Sequence, residues 1–198
     1  GIFFTQIVFS DIKLRYPAFI LSISIFPLYL FATASDYRRE RIETFLTGKC
    51  QDGVDLLGDC FQLNQSWIAI SSGGLTGLGP GTSRARWGML PNAYTDFIVS
   101  ITGEEYGFIG ILVLTIIFLI LIVSFYGMAI TTNDNFKKLL LVGIATWVGI
   151  QTILNLGGAV GLLPITGIVL PFISYGGTAM VSIFIGLSLA HNENLDNE

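Results

Sequence analysis

An all-α, polytopic membrane protein is the fold class this sequence predicts, and three observations carry the prediction. Of 198 residues, 52% are apolar and only 12% are charged, where an ordinary soluble domain has roughly 25%. Mean hydropathy is +0.70. The charges are also segregated: no Asp, Glu, Lys or Arg occurs from Tyr16 to Ser35, from Tyr106 to Asn133 or from Leu139 to Ala190. A helix needs roughly 20 mostly apolar residues to cross the hydrocarbon core. A lipid-facing backbone must satisfy its hydrogen bonds internally, which selects helices. The alternative reading of the same composition is a large buried soluble core.

In chain order, residues 1–10 are apolar but too short to span, and the first residue is Gly rather than Met. They read as the end of a preceding helix, and the chain as the tail of a longer protein. No basic n-region or small-residue cleavage site marks them as a signal peptide. Four complete spans are predicted, at about 16–35, 107–130, 139–158 and 168–189. The last charge-free stretch holds two of them because Leu162-Leu-Pro-Ile-Thr-Gly167 interrupts its middle, and Pro and Gly break regular structure.

The connections are unequal. The turns near 131–138 and 159–167 are short, while residues 36–105 form one long polar insertion; long ordered loops are uncommon and usually functional. Within it, Trp67-Ile-Ala-Ile70 reads as a short interfacial helix, followed by Gly73 and Gly74, which allow a tight turn and close packing. Lys13 and Arg15 before the first complete span, and Lys137 and Lys138 after the second, place both turns in the cytoplasm by the positive-inside rule. The long insertion is then extracytoplasmic and the C-terminus cytoplasmic. Arg38, Arg39 and Arg41 run against this rule, on the outer side; there they suit an anionic headgroup or substrate.

Chemistry has few carriers. The single histidine, His191, lies past the last span, which excludes a Ser-His-Asp arrangement and a His-built metal cage. No metal ligands are assigned. Cys50 and Cys60 share the long insertion; a disulfide and two free thiols both stay open. Ionisable groups near membrane depth are costly and usually functional, and Asp96, Glu104 and Glu105 cluster at the outer end of the second span. Asp96 and Glu104, eight apart, would share a face of a continuous helix. Asp96 is flanked by Tyr94, Phe97 and Ile98; in partly apolar surroundings a carboxylate can act as a general base. A solvated interfacial acid is the plain alternative. Thr102-Gly-Glu-Glu105 fits a capping box, with Thr102 capping and Glu105 reaching back. Arg38, Arg41 and Arg86 lead the possible phosphate ligands, since the arginine fork suits phosphate oxygens. Gly77-Leu-Gly-Pro-Gly81 lacks the Gly-Lys-Ser/Thr ending of a nucleotide loop, and nothing points to nucleic acid.

Several segments then resemble one family. Gln65-Ser-Trp-Ile-Ala-Ile-Ser-Ser-Gly-Gly-Leu75, the glycine-rich Gly77 to Gly81 with Ser83 and Arg86, and Tyr94-Thr-Asp-Phe-Ile98 occur in order. Gly103-Glu-Glu-x-Gly-Phe-Ile-Gly110, Gly161-Leu-Leu-Pro-Ile-Thr-Gly167 and Leu170-Pro-Phe-Ile-Ser-Tyr-Gly-Gly177 follow. This order resembles the SEDS peptidoglycan glycosyltransferases (FtsW, RodA and SpoVE types), over nearly the whole chain, as the C-terminal part of one membrane domain. Two departures stand out: Tyr94 replaces the histidine of the aspartate motif, and Arg86 replaces a lysine. Arg86-Trp-Gly88 and Pro91-Asn-Ala93 look more like the FtsW type.

The resemblance implies polymerisation of lipid II into glycan strands at the outer face of the bacterial cytoplasmic membrane, in cell division. It makes Asp96 the base that deprotonates the acceptor 4-hydroxyl, in an inverting displacement of pyrophosphate. Gln65, Ser66, Tyr94 and Thr95 join the arginines as substrate-binding candidates. A divalent cation, Mg or Mn, would assist the leaving group. The implied partner is a class B penicillin-binding transpeptidase among other divisome proteins. A lipid II flippase and a non-catalytic divisome scaffold are the competing functions.

Overall fold

A computed structural model of the chain describes residues 1–9, 23, 27, 35–50 and 60–191. The predicted span at 16–35 lies almost wholly outside the described residues. Among these residues every regular element is helical: α1 (Ile2–Val8), α2 (Asp36–Leu46), α3 (Phe61–Gly73), a single 3₁₀ turn (Ala85–Trp87), α4 (Ile98–Thr131), α5 (Asn135–Val160) and α6 (Gly177–His191).

Two of the helices, α4 and α5, are long and apolar enough to cross a membrane. They are joined by residues 132–134 alone, and so short a connection makes them antiparallel neighbours. Asp134 caps α5, its carboxylate accepting the Phe136 N–H at 2.8 Å. Helix α5 is the central element: α1, α3, α4 and α6 all pack on it. Its buried face carries Leu141, Val142, Ile144, Ala145 and Val148, which meet Phe118, Phe125 and Ala129 of α4 in the core. Hydroxyls stitch α1, α4 and α5 together. Thr146 Oγ1 lies 2.8 Å from both Tyr126 Oη of α4 and Thr5 Oγ1 of α1.

Two predicted elements differ. The apolar stretch predicted as a span at 168–189 is helical only from Gly177. A 15-residue helix rises only about 22 Å, short of a roughly 30 Å hydrocarbon core. The preceding segment, 164–176, is irregular yet buries Leu170 and Pro171 completely, because its polar groups find partners in the site described below. The predicted start of the second span also moves: α4 begins at Ile98, inside the expected insertion, but its backbone is broken at Gly107 (φ 67°, ψ −164°). The limb beyond the break matches the predicted span, and rises about 36 Å over 108–131.

The break is a backbone exchange. In a continuous helix the Glu104 and Glu105 carbonyls would accept from Phe108 and Ile109. Instead Leu78 and Gly79 donate to them at 3.0 Å each, while Phe108 and Ile109 donate to the Gly74 and Leu75 carbonyls at 2.9 and 3.2 Å. The loop after α3 therefore completes the hydrogen bonds that the broken helix leaves open, as irregular backbone near a membrane requires. A Cβ on Gly107 would collide with Gly77 N and the Leu75 carbonyl. One turn earlier a Cβ on Gly73 would collide with the Gly103 carbonyl, so α3 has no room for a side chain where it crosses α4.

Candidate functional site

The sequence motif around Asp96 folds as two successive turns rather than as helix. The N–H groups of Thr95 and Asp96 both donate to the Asn92 carbonyl, at 3.1 and 3.0 Å. Ala93 and Phe97 on either side are buried, 4% and 1% exposed, and pin the segment to the core while Asp96 stays half-buried. Asp96 thus precedes α4, and the expected shared helical face with Glu104 does not exist.

Three consecutive carbonyls of this segment are held from outside. Tyr94 O accepts the Tyr175 N–H at 3.0 Å. Thr95 O accepts the Ser174 hydroxyl at 2.6 Å, and Asp96 O accepts the Asn155 side-chain amide at 3.0 Å. Ser174 Oγ also accepts the Leu170 N–H at 2.9 Å, closing its own turn. The Asn155 amide donates a second time, to Ile168 O at 2.8 Å. The Asp96 carboxylate looks toward Gly167, where a Cβ would stand 3.6 Å from Oδ2. Residues 155, 167 and 174–175 thereby converge on the 94–96 turn. No role is predicted for Asn155, Ser174 or Gly167 from sequence alone; the available signal is an Asn inside a long charge-free stretch, where a polar side chain needs a partner.

The other predicted site residues fall into three groups. Arg86 stays at the surface beside the 94–96 turn: its Nε donates to Tyr94 Oη at 3.3 Å, and its guanidinium lies 5.7 Å from the Trp87 ring centroid. Tyr94 is 49% exposed, and Gln65 lines a cleft of about 270 Å³ together with Ser72, Arg84, Met89 and Glu104. The Thr95 hydroxyl turns back onto Asn92 O at 3.1 Å, so its side chain shapes the turn.

Ser66 and Arg41 both bond within the fold. Ser66 is fully buried; its hydroxyl donates to Ala159 O at 2.6 Å and meets Ser100 Oγ at 2.6 Å, joining α3, α4 and α5 out of reach of any substrate. Arg41 donates to Ile165 O and to Gln62 Oε1, both at 3.0 Å, because α2 docks on the 163–165 turn. The Arg38 side chain lies outside the described residues.

The expected capping box is corrected. Thr102 sits inside α4 and its hydroxyl donates to Ile98 O at 2.9 Å, since the helix starts earlier than the box assumes. Glu105 is buried, with Oε1 lacking a hydrogen-bond partner among the described residues. Glu104 takes the capping role at a distance: its carboxylate, 2% exposed, accepts from Ser83 Oγ and from the backbone N–H groups of Arg84 and Ala85. It therefore organises the 3₁₀ turn that carries Arg86. Cys50 and Cys60 are joined as a disulfide with Cα atoms 5.3 Å apart, tying the segment after α2 to the start of α3.

Among the described residues no three His, Cys, Asp or Glu side chains gather as a metal site, and the donors on Glu104 occupy both its oxygens.

Comparisons with known proteins agree with one another. The profile of the cell cycle proteins FtsW, RodA and SpoVE matches residues 1–196. The probable peptidoglycan glycosyltransferase FtsW of Geobacter metallireducens is 38% identical over 179 residues, covering 89% of this chain and 47% of the relative. FtsW of Bacillus subtilis is 41% identical over 131 residues, 66% of this chain and 32% of the relative. Stage V sporulation protein E of the same species is 37% identical over 159 residues, 80% of this chain and 42% of the relative. Among solved structures, a chain described under the structural coordination of polymerization and crosslinking by a peptidoglycan synthase complex matches with a TM-score of 0.59. It is 27% identical, covering 89% of this chain and 47% of its own length. The chain thus spans about half the length of the curated relatives it matches.

Proposed function

This chain belongs to the FtsW/RodA/SpoVE family of cell cycle proteins, and we propose that the whole protein is a peptidoglycan glycosyltransferase. It polymerises lipid II at the outer face of the cytoplasmic membrane, in division, with Asp96 as general base. The observation that carries this reading is the combination at Asp96: a half-buried carboxylate whose main chain is held through three successive carbonyls. A base must meet its proton in a fixed geometry before its strength matters, and the backbone anchoring supplies that geometry.

In the proposed step the acceptor sugar's 4-hydroxyl gives its proton to an Asp96 oxygen while its oxygen attacks the donor's anomeric carbon. The bond from that carbon to the pyrophosphate oxygen breaks, with inversion, and the pyrophosphate departs on its lipid. A pyrophosphate leaves as an anion, so it needs charge stabilisation more than a proton. Arg86, exposed and linked to Tyr94 beside Asp96, is the cation within this chain that suits the role. Arg38 remains a second candidate by its place after the first predicted span.

The side assignment has its own support. A disulfide persists in an oxidising compartment, and Cys50–Cys60 lies in the segment that the lysine distribution puts outside. The C-terminus then lies in the cytoplasm. The partner proposed is a class B penicillin-binding transpeptidase, in keeping with a structural neighbour that belongs to a complex coordinating polymerization and crosslinking.

The test is lipid II polymerisation by the purified full-length protein with its transpeptidase, comparing wild type with Asp96→Asn. Strands from wild type and none from a variant that still binds lipid II are expected. Equal polymer from both would reject Asp96 as the base.

A further inference from the structure

We infer that Asn155 is a positioning residue for Asp96, an inference that rests on the reading of Asp96 as the general base. Asn155 belongs to α5, the helix on which the rest of the bundle packs, and is 4% exposed. Two buried threonines of the same helix each return a hydroxyl to it, Thr146 to Val142 O and Thr152 to Val148 O, and Thr146 also meets the hydroxyls of Tyr126 and Thr5. Asn155 instead sends its NH2 group outward, to Asp96 O at 3.0 Å and to Ile168 O at 2.8 Å.

Both partners are carbonyls, so only the donor end of the amide fits between them. The geometry leaves Asn155 Oδ1 buried with no partner among the described residues, an arrangement that costs stability. The cost is borne at the one side chain that fastens two loops to the rigid helix. The remaining holds on the turn, from Ser174 and Tyr175, come from an irregular segment that itself needs an anchor. Asn155 supplies it by gripping Ile168 on that segment and Asp96 on the other with the same group. The expected consequence is specific: without the amide, the carboxylate keeps its chemistry and loses its alignment with the acceptor hydroxyl.

The experiment uses the full-length protein in detergent with its transpeptidase, and lipid II as substrate. Lipid II binding stoichiometry counts the folded molecules, so kcat is expressed per binding-competent protein. Asn155→Ala is expected to lower kcat about 10- to 100-fold, the scale set by small misplacements of a reacting group, with KM within about twofold. Asn155→Asp, which sets carboxylate oxygens against two carbonyls, should lose at least as much. Gln151→Ala removes a half-buried amide one turn earlier on α5 and should retain wild-type kcat. Wild-type kcat in Asn155→Ala, or an equal loss in Gln151→Ala, overturns the inference. If the alanine variant binds no lipid II, Asn155→Ser decides: a reduced kcat supports positioning and an unchanged one rejects it. Asp96→Asn in the same assay tests the underlying reading separately, since polymer from that variant would sink the base and leave the Asn155 result to stand as packing.

Discussion

Ser83 donates its hydroxyl to the Glu104 carboxylate at 2.7 Å, with both side chains withdrawn from solvent. With the Arg84 and Ala85 N–H groups at 3.1 Å, the contact ties the glycine-rich segment to the first limb of α4. It holds Arg86 next to Tyr94. Glu104→Ala strands two buried donors, Ser83 Oγ and the Ala85 N–H, and the part-buried Arg84 N–H, and should cost about 3 kcal/mol, read as a lower unfolding temperature in detergent. Glu104→Gln keeps an acceptor and should lose less. An alanine variant as stable as wild type would show that the clamp contributes nothing.

The exchange of hydrogen bonds around Gly107 makes a second prediction. Gly107→Ala places a side chain in the left-handed region and against the Gly77 backbone, a strain of order 1–3 kcal/mol before the collision is counted. Gly77→Ala meets the Glu105 carbonyl across the same contact. Each single variant should be strongly destabilised, and the double variant should lose less than the sum, because one displaced loop relieves both. Additive losses in thermal unfolding would argue against a shared contact.

Ser66 separates packing from substrate binding. Ser66→Ala should cost about 1–2 kcal/mol, as its bonds to Ala159 and Ser100 are lost. Polymerisation per folded molecule should stay at the wild-type level. A folded variant with a raised KM would return Ser66 to the substrate contacts.

The Cys50–Cys60 bridge closes a short loop, with partners 10 residues apart. Removing it by Cys50→Ser and Cys60→Ser should cost about 2–3 kcal/mol by the loop-entropy argument. The double variant should be no worse than either single one. In that background, with any cysteine of the full-length protein outside this chain also replaced, Met89→Cys, at a site 59% exposed, should react with a membrane-impermeant maleimide added to intact spheroplasts. Labelling only after lysis would invert the proposed orientation.

Two of the predicted spans, those of α4 and α5, were legible in the sequence because their signals are local. Charge-free lengths mark α4 beyond Gly107 and α5, and the ordered motifs single out Asp96 as soon as the family resemblance is seen. Local signals also misled in places. Thr102 and Glu105 have the spacing of a capping box, but Gly107 and the loop from Gly74 to Gly79 decide where the helix is broken. Arg41 by its charge and Ser66 by the family resemblance read as substrate ligands, and only the approach of α2 to the 163–165 turn and of α3 to α5 supplies the partners that they bond. Residues 168–176 are as apolar as a membrane span yet stay irregular, because Asn155 holds the Ile168 carbonyl, Ser174 closes its own turn on Leu170 and the Tyr175 N–H reaches Tyr94. By itself the sequence determined which segments are apolar enough to form helices and which side chains are able to do the chemistry. Tertiary structure alone decided which of those side chains are held and which remain free. That choice depends on hydrogen bonds between residues as far as 124 positions apart, whose partners no local pattern encodes.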